Sequence, residues 1–140
     1  MKTTGYSGTS LVKKLGIKDG FKLLLVNEPD YYLQLFQDFP ATVEIVKTPT
    51  TGVNIIHYFT KEALELQNDI VGLKNGIKQN GMIWISWPKK ASKVATDLDE
   101  DIIRRIALQN GLVDIKVCAI DEIWSGLKLV IPVKDRNAGK

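Results

Sequence analysis

Leu23-Leu24-Leu25-Val26 is an unbroken apolar run, and no other segment constrains the chain as strongly. A strand covered on one face alternates apolar and polar residues, whereas a continuous apolar run suits a strand buried on both faces. Phe21 to Val26 is therefore expected to be an inner, parallel strand. The chain must then supply partner strands on both sides and helices above and below. Its 140 residues, 44% of them hydrophobic, suffice for a core of that kind in one domain.

The flanking segments alternate in type as this requires. Ser10 can cap a short helix that turns Leu11, Val12 and Leu15 inward, with Gly16 placed to end it. Pro29 suits the first position of a helix running to about Phe36, which gathers Tyr32, Leu33, Leu35 and Phe36 before Pro40 stops it. Val43 to Val46 and Val53 to Phe59 read as strands, the second rich in β-branched and aromatic residues. Thr60 is placed to cap a helix with Ala63, Leu66, Ile70, Leu73 and Ile77 at steps of three and four. Asn80-Gly81 reads as a turn into a strand from Met82 to Trp87.

Asp97, with Glu100 three residues on, predicts the cap of a last helix that carries Leu98, Ile102, Ile103 and Ile106 inward and ends near Gly111. Val113 to Cys118 alternates as a strand. Leu127 to Val133 is expected to return antiparallel to it after a turn at Trp124-Ser125-Gly126. Strands joined through helices imply right-handed crossovers. The expected fold is a three-layer α/β Rossmann-like sandwich, a mostly parallel sheet of about six strands with a C-terminal antiparallel hairpin. It forms a single domain over 1–140, with 1–8 and 134–140 as flexible ends.

Several function classes recede on composition. One cysteine, Cys118, and one histidine, His57, argue against a disulfide framework, a thiolate zinc site and His-rich metal clusters. No apolar run nears the ~20 residues of a membrane span, and the first residues lack a secretion h-region, so a cytoplasmic location is expected. The net charge of +3 sits on Lys2 and on the C-terminal Lys134, Asp135, Arg136 and Lys140, leaving a neutral body that disfavours nucleic-acid binding. A homodimer is compatible with such a sheet.

Ligands of open α/β sheets bind beyond the carboxyl ends of the strands. At that edge Lys89, Lys90, Ser92, Lys93 and Thr96 can offer ammonium and hydroxyl donors to an anion, beside Trp87 as a stacking platform. Asn27 follows the first strand. His57 lies near the end of the third, where it borders the expected pocket, although its neighbours favour a hydrogen-bonded core histidine.

The order of elements, from the first strand to Leu73-Lys74-Asn75-Gly76-Ile77-Lys78-Gln79-Asn80-Gly81-Met82-Ile83-Trp84-Ile85-Ser86 and the closing hairpin, resembles the body of a class I S-adenosylmethionine-dependent methyltransferase. One strand and helix of the usual set are missing between Val46 and Val53. A second resemblance is to a family of small bacterial proteins classed as a domain of unknown function. It is carried by Gly5-Tyr6-Ser7-Gly8-Thr9, Lys13-Lys14-Leu15-Gly16-Ile17, Ser86-Trp87-Pro88-Lys89-Lys90, Thr96-Asp97-Leu98, Val113-Asp114-Ile115-Lys116-Val117 and Trp124-Ser125-Gly126-Leu127-Lys128. That likeness implies a fold and no mechanism.

Against the first resemblance, the loop after strand one, Asn27-Glu28-Pro29-Asp30, has no glycine and Pro29 removes a backbone donor. Lys47 stands at the end of strand two, where an acid would accept ribose hydroxyls. The sequence thus favours a cofactor-free, non-catalytic protein that binds a small anionic molecule or a protein partner through Lys89, Lys90, Ser92, Lys93 and Thr96. The alternative is a small S-adenosylmethionine-dependent methyltransferase in which Glu28 and Asp30 hold the cofactor.

Overall fold

A computed structural model describes residues 9–137. The inner strand β1, Lys22–Val26, lies between β2, Glu44–Val46, and β3, Val53–Phe59, parallel to both. Next come β4, Ile77–Pro88, parallel to β3, and then the antiparallel β6, Trp124–Val130, with β5, Val113–Ala119, at the edge. The order β2-β1-β3-β4-β6-β5 makes one six-stranded sheet, mostly parallel and closed by the expected C-terminal hairpin.

Helices α2, Ala63–Gly76, and α3, Glu100–Gln109, cover one face. Leu66, Ile70, Ile103 and Ile106 pack there on Ile56, Ile83 and Leu129. The other face carries a thinner layer. Helix α1, Leu11–Leu15, is capped by the Ser10 hydroxyl, which accepts the Lys13 N–H, and ends on Gly16 at φ 78°. Trp84 Nε1 donates to the Leu15 carbonyl at 2.9 Å, which anchors α1 to the sheet. No helix among the described residues is long and apolar enough to cross a membrane.

The helix expected over Pro29 to Phe36 is a single 3₁₀ turn, Tyr32–Leu35. Tyr32 turns into the core, Leu33 is left 51% exposed, and Phe36 is already extended and edge-on to Tyr32 and Phe39. The aromatic side chains reach their partners without a longer helix. The connection from β2 to β3, residues 47–52, contains no helix, in keeping with the missing strand and helix.

Three local expectations shift. Strand β4 starts at Ile77 rather than after a turn at Asn80-Gly81: its residues bulge between the pairs Val53–Ile77 and Ile55–Met82. Gly81 is needed there because a Cβ would sit 2.9 Å from the Asn54 carbonyl. Asp97 caps α2 rather than α3. Its Oδ1 accepts the Ala63 N–H at 2.8 Å, whereas Thr60 Oγ1 accepts the Glu62 N–H and Asp99 caps α3 through Ile102. The hairpin turn precedes Trp124, with Asp121 Oδ1 accepting the N–H groups of Ile123 and Trp124.

Within the C-terminal end expected to be flexible, Arg136 Nε donates to the Ile131 carbonyl and the Asn137 N–H to Gln79 Oε1. Residues 1–8 and 138–140 lie outside the described residues.

Candidate functional site

Because no helix joins β2 to β3, the α2-facing side of β1 is left open, from Asn27 and Glu28 at its carboxyl end down to Thr50 and Thr51 before β3 and Gly76 at the end of α2. A cleft of about 670 Å³ occupies the space. Leu24, Ile56 and Leu73 give it an apolar floor, Val26, Asn27, Glu28 and Tyr58 bring it to the strand ends, and Lys47, Thr50 and Thr51 line the β2 side. Asp69, Gly72 and Gly76 of α2 complete the wall.

The turn that ends β1 is made by Asn27 at φ 58°, in the left-handed region that asparagine tolerates better than most residues. Its amide Nδ2 donates to the Phe59 carbonyl at 3.1 Å, tying the end of β1 to the end of β3. Glu28 follows, and its Oε2 lies 3.2 Å from Lys47 Nζ. The Tyr58 hydroxyl donates to Asp69 Oδ2 at 2.7 Å; burial and this carboxylate raise its pKa well above the ordinary phenol value. Thr60 Oγ1 donates to Glu65 Oε1, alongside Asn27.

Of the residues singled out from sequence, Asn27 and Glu28 line the cleft. Asp30 is exposed and outside its lining. Lys90 and Lys93 are exposed on the segment after β4, Lys89 is half-buried with its N–H on the Ile123 carbonyl, and none of the three lines the cleft. Their hydroxyl neighbours hold the segment's own backbone. Ser92 Oγ donates to the Lys89 carbonyl and accepts the Val94 N–H; Thr96 Oγ1 donates to the Lys61 carbonyl and accepts the Leu98 N–H.

Two expected site residues are core residues. Trp87 is buried with Leu98 and Ile103 under the helices, so it offers no stacking platform. His57 is sealed: Nδ1 meets the Tyr32 hydroxyl at 2.9 Å, Nε2 meets Ser86 Oγ at 2.8 Å, and Phe59 stacks on the ring. Burial pushes its pKa down to about 3, so it is neutral. The sequence reading missed Tyr58 and Asp69 as site residues. The one signal for Tyr58 was its phase with Ile56 on β3, and Asp69 sits on the polar side of its helical stripe.

No protein-family model and no curated protein sequence matches the chain, so the likeness to the small bacterial family rests on the segments quoted above. Solved structures do match. A SAM-dependent methyltransferase from Aquifex aeolicus aligns over 86% of this chain and 87% of its own, with a TM-score of 0.62 and 17% identity. The magnesium protoporphyrin IX methyltransferase from Synechocystis PCC 6803, solved with bound SAH, aligns over 85% and 78%, with a TM-score of 0.57 and 11% identity. A TehB-like SAM-dependent methyltransferase from Corynebacterium glutamicum aligns over 86% and 85%, with a TM-score of 0.55 and 12% identity.

At these identities the likeness is one of fold. It corrects the reading as a non-catalytic, cofactor-free binder: two of these three proteins are named as SAM-dependent methyltransferases and the third is a methyltransferase with bound SAH, which supports the alternative instead.

Proposed function

We propose that the chain is a small S-adenosylmethionine-dependent methyltransferase whose cofactor occupies the cleft at the carboxyl ends of β1, β2 and β3. The observation that carries this reading is the position of the cleft. One end of it, at Asn27, Glu28 and Lys47, lies at the strand-order reversal beside β1, where open α/β sheets take their ligands.

The residues present fit such a cofactor. It carries no phosphate, so a glycine-rich phosphate cradle is not required, and the Lys47 ammonium in the cleft lining is a donor for its carboxylate. The left-handed turn that a glycine would otherwise make is made by Asn27. Leu24, Ile56 and Leu73 offer an apolar floor for a purine, and Glu28 and Asp69 supply carboxylates for hydroxyl or ammonium groups and for a positive sulfur. When bound, the cofactor supplies an electrophilic methyl group on a sulfonium sulfur.

The residues around the cleft also bear on the acceptor. The single histidine is sealed in the core, and the acids that line the cleft are the carboxylates of Glu28 and Asp69. That environment suits an acceptor already ionised at neutral pH, such as a carboxylate. The exposed ammonium groups of Lys90 and Lys93, with Lys89 beside them, favour an anionic one.

Thermal unfolding and isothermal titration with S-adenosylmethionine and S-adenosylhomocysteine test the reading. At 100 times the dissociation constant a ligand stabilises the native state by ~2.7 kcal/mol, a rise of several degrees in Tm for a domain of this size. Absence of both heat and shift with either compound would overturn it.

A further inference from the structure

We propose that the charges at the ends of the first two strands are transposed here: Glu28 on the β1 side receives the ribose hydroxyls of the bound nucleoside, and Lys47 at the end of β2 holds that carboxylate in place. The inference rests on the cofactor reading above and names the groups that select the nucleoside.

In dinucleotide-binding Rossmann sheets, an acid at the end of the strand beside β1 accepts from the ribose 2′-hydroxyl. Lys47 stands at that place, and a lysine ammonium has three donors and no acceptor. A free diol therefore needs its acceptor from a neighbour. Glu28 is that neighbour, its Oε2 3.2 Å from Lys47 Nζ, and both residues line the cleft.

The exposures order the pair. The Glu28 side chain is 17% exposed and the Lys47 side chain 67%, so the carboxylate is the inner member and the ammonium covers it from the solvent side. One ammonium leaves Oε1 and further lone pairs of the carboxylate to accept from a ligand.

The other acids around β1 and β2 are placed differently, and Glu65, outside the cleft lining, accepts from the Thr60 hydroxyl and the Asn27 amide. Glu44 starts β2, at its opposite end, beside Lys22. Asp30 lies outside the lining, and Asp69 sits on α2 against Tyr58 of β3, on the far side of β1 from the end of β2. The left-handed turn at Asn27 is what places Glu28 beyond the strand rather than along it.

Titration of the full chain with S-adenosylhomocysteine and its 2′-deoxy analogue tests the assignment. The wild type is expected to prefer the ribose form about tenfold, and Glu28→Gln to weaken S-adenosylhomocysteine about tenfold and erase the preference. The exchanged protein, Glu28→Lys with Lys47→Glu, puts an acid back at the end of β2 and should recover the preference. If the wild type binds S-adenosylhomocysteine but does not distinguish the deoxy form, the assignment is overturned whatever the variants do. The same holds if a folded Glu28→Gln keeps wild-type affinity and preference; in both cases the cofactor reading stands. If the wild type binds neither compound, that reading falls and the assignment falls with it.

Discussion

The Tyr32 hydroxyl lies 2.9 Å from His57 Nδ1, in a contact closed to solvent on every side. Through it the 3₁₀ turn after β1 is tied to β3, and through His57 Nε2 and Ser86 Oγ the link continues to β4. The three side chains form a satisfied polar chain inside an aromatic shell that includes Phe36, Phe59 and Trp124. Such a chain is stable while the imidazole is neutral. A charged ring there would face burial with no carboxylate against it.

The pH dependence of stability follows from that burial. The folded state holds the His57 pKa near 3, against an unfolded value of 6.5, so below pH 6.5 the unfolded chain takes up a proton that the folded chain refuses. Stability is full above pH 6.5 and is expected to fall by roughly 1.4 kcal/mol per pH unit as pH drops through 6.5 towards 3. Urea unfolding at pH 7.5, 5.5 and 4.5 checks the slope. Asp114, held below its ordinary pKa by hydrogen bonding to Arg104, adds its own loss only below pH 3.8. A folded His57→Gln protein should show no slope between pH 6.5 and 4.5, and a wild type equally flat in that window would contradict the account.

Asn27 separates conformation from hydrogen bonding. Asn27→Gly keeps the left-handed turn at φ 58° and loses the bond to the Phe59 carbonyl, whereas Asn27→Ala loses both. The alanine protein should therefore be the less stable of the two by about 1 kcal/mol, with both below wild type. Chemical denaturation of the three proteins side by side gives the order. Equal stabilities for the glycine and alanine proteins would mean that the turn stores no strain.

What sequence made legible here was whatever depends on neighbours along the chain. The run at Leu23 identified an inner strand, Val53 to Phe59 identified its partner, and the stripe Leu66, Ile70, Leu73 identified α2, because each records burial in its own period. The pairs that build the cleft join distant segments: Glu28 with Lys47, Tyr58 with Asp69, and Asn27 with Phe59. No local period reports such contacts. Glycine after β1 is expected where a backbone must approach a ligand closely, and local rules do not foretell that the left-handed turn at that place is made by Asn27.

Asp97 shows the same limit and carries a prediction. Asp97 and Asp99 both sit where a helix cap is wanted, and local rules allow either to cap α3. The approach of residues 96–97 to Lys61 decides the matter, for the Thr96 hydroxyl and the Asp97 N–H both donate to the Lys61 carbonyl, and Asp97 Oδ1 is then free to accept from Ala63. Asp97→Ala should cost about 1 kcal/mol and loosen the start of α2, while Asp99→Ala costs a similar amount at α3. Hydrogen exchange distinguishes them. Protection lost first at residues 63–66 in the Asp97 protein supports the long-range cap, and loss confined to 100–103 would refute it.

The lysines after β4 give a kinetic prediction that separates acceptor from cofactor. Lys89, Lys90 and Lys93 ride on a segment whose fold is held by Ser92, Thr96 and backbone bonds, so changing their charge leaves the scaffold in place. None of them lines the cleft assigned to the cofactor. Exchanging all three for glutamate should raise KM for an anionic acceptor about tenfold at low salt, with kcat and S-adenosylhomocysteine affinity nearly unchanged. Raising the ionic strength from 0.01 to 0.15 M shortens the screening length from ~30 to ~8 Å and should shrink the KM difference between the two proteins. A loss of S-adenosylhomocysteine affinity as large as the rise in KM would instead put these lysines in the cofactor site. An unchanged KM would leave them as solvated surface charge, and the acceptor's own charge would then be unread by this edge of the sheet.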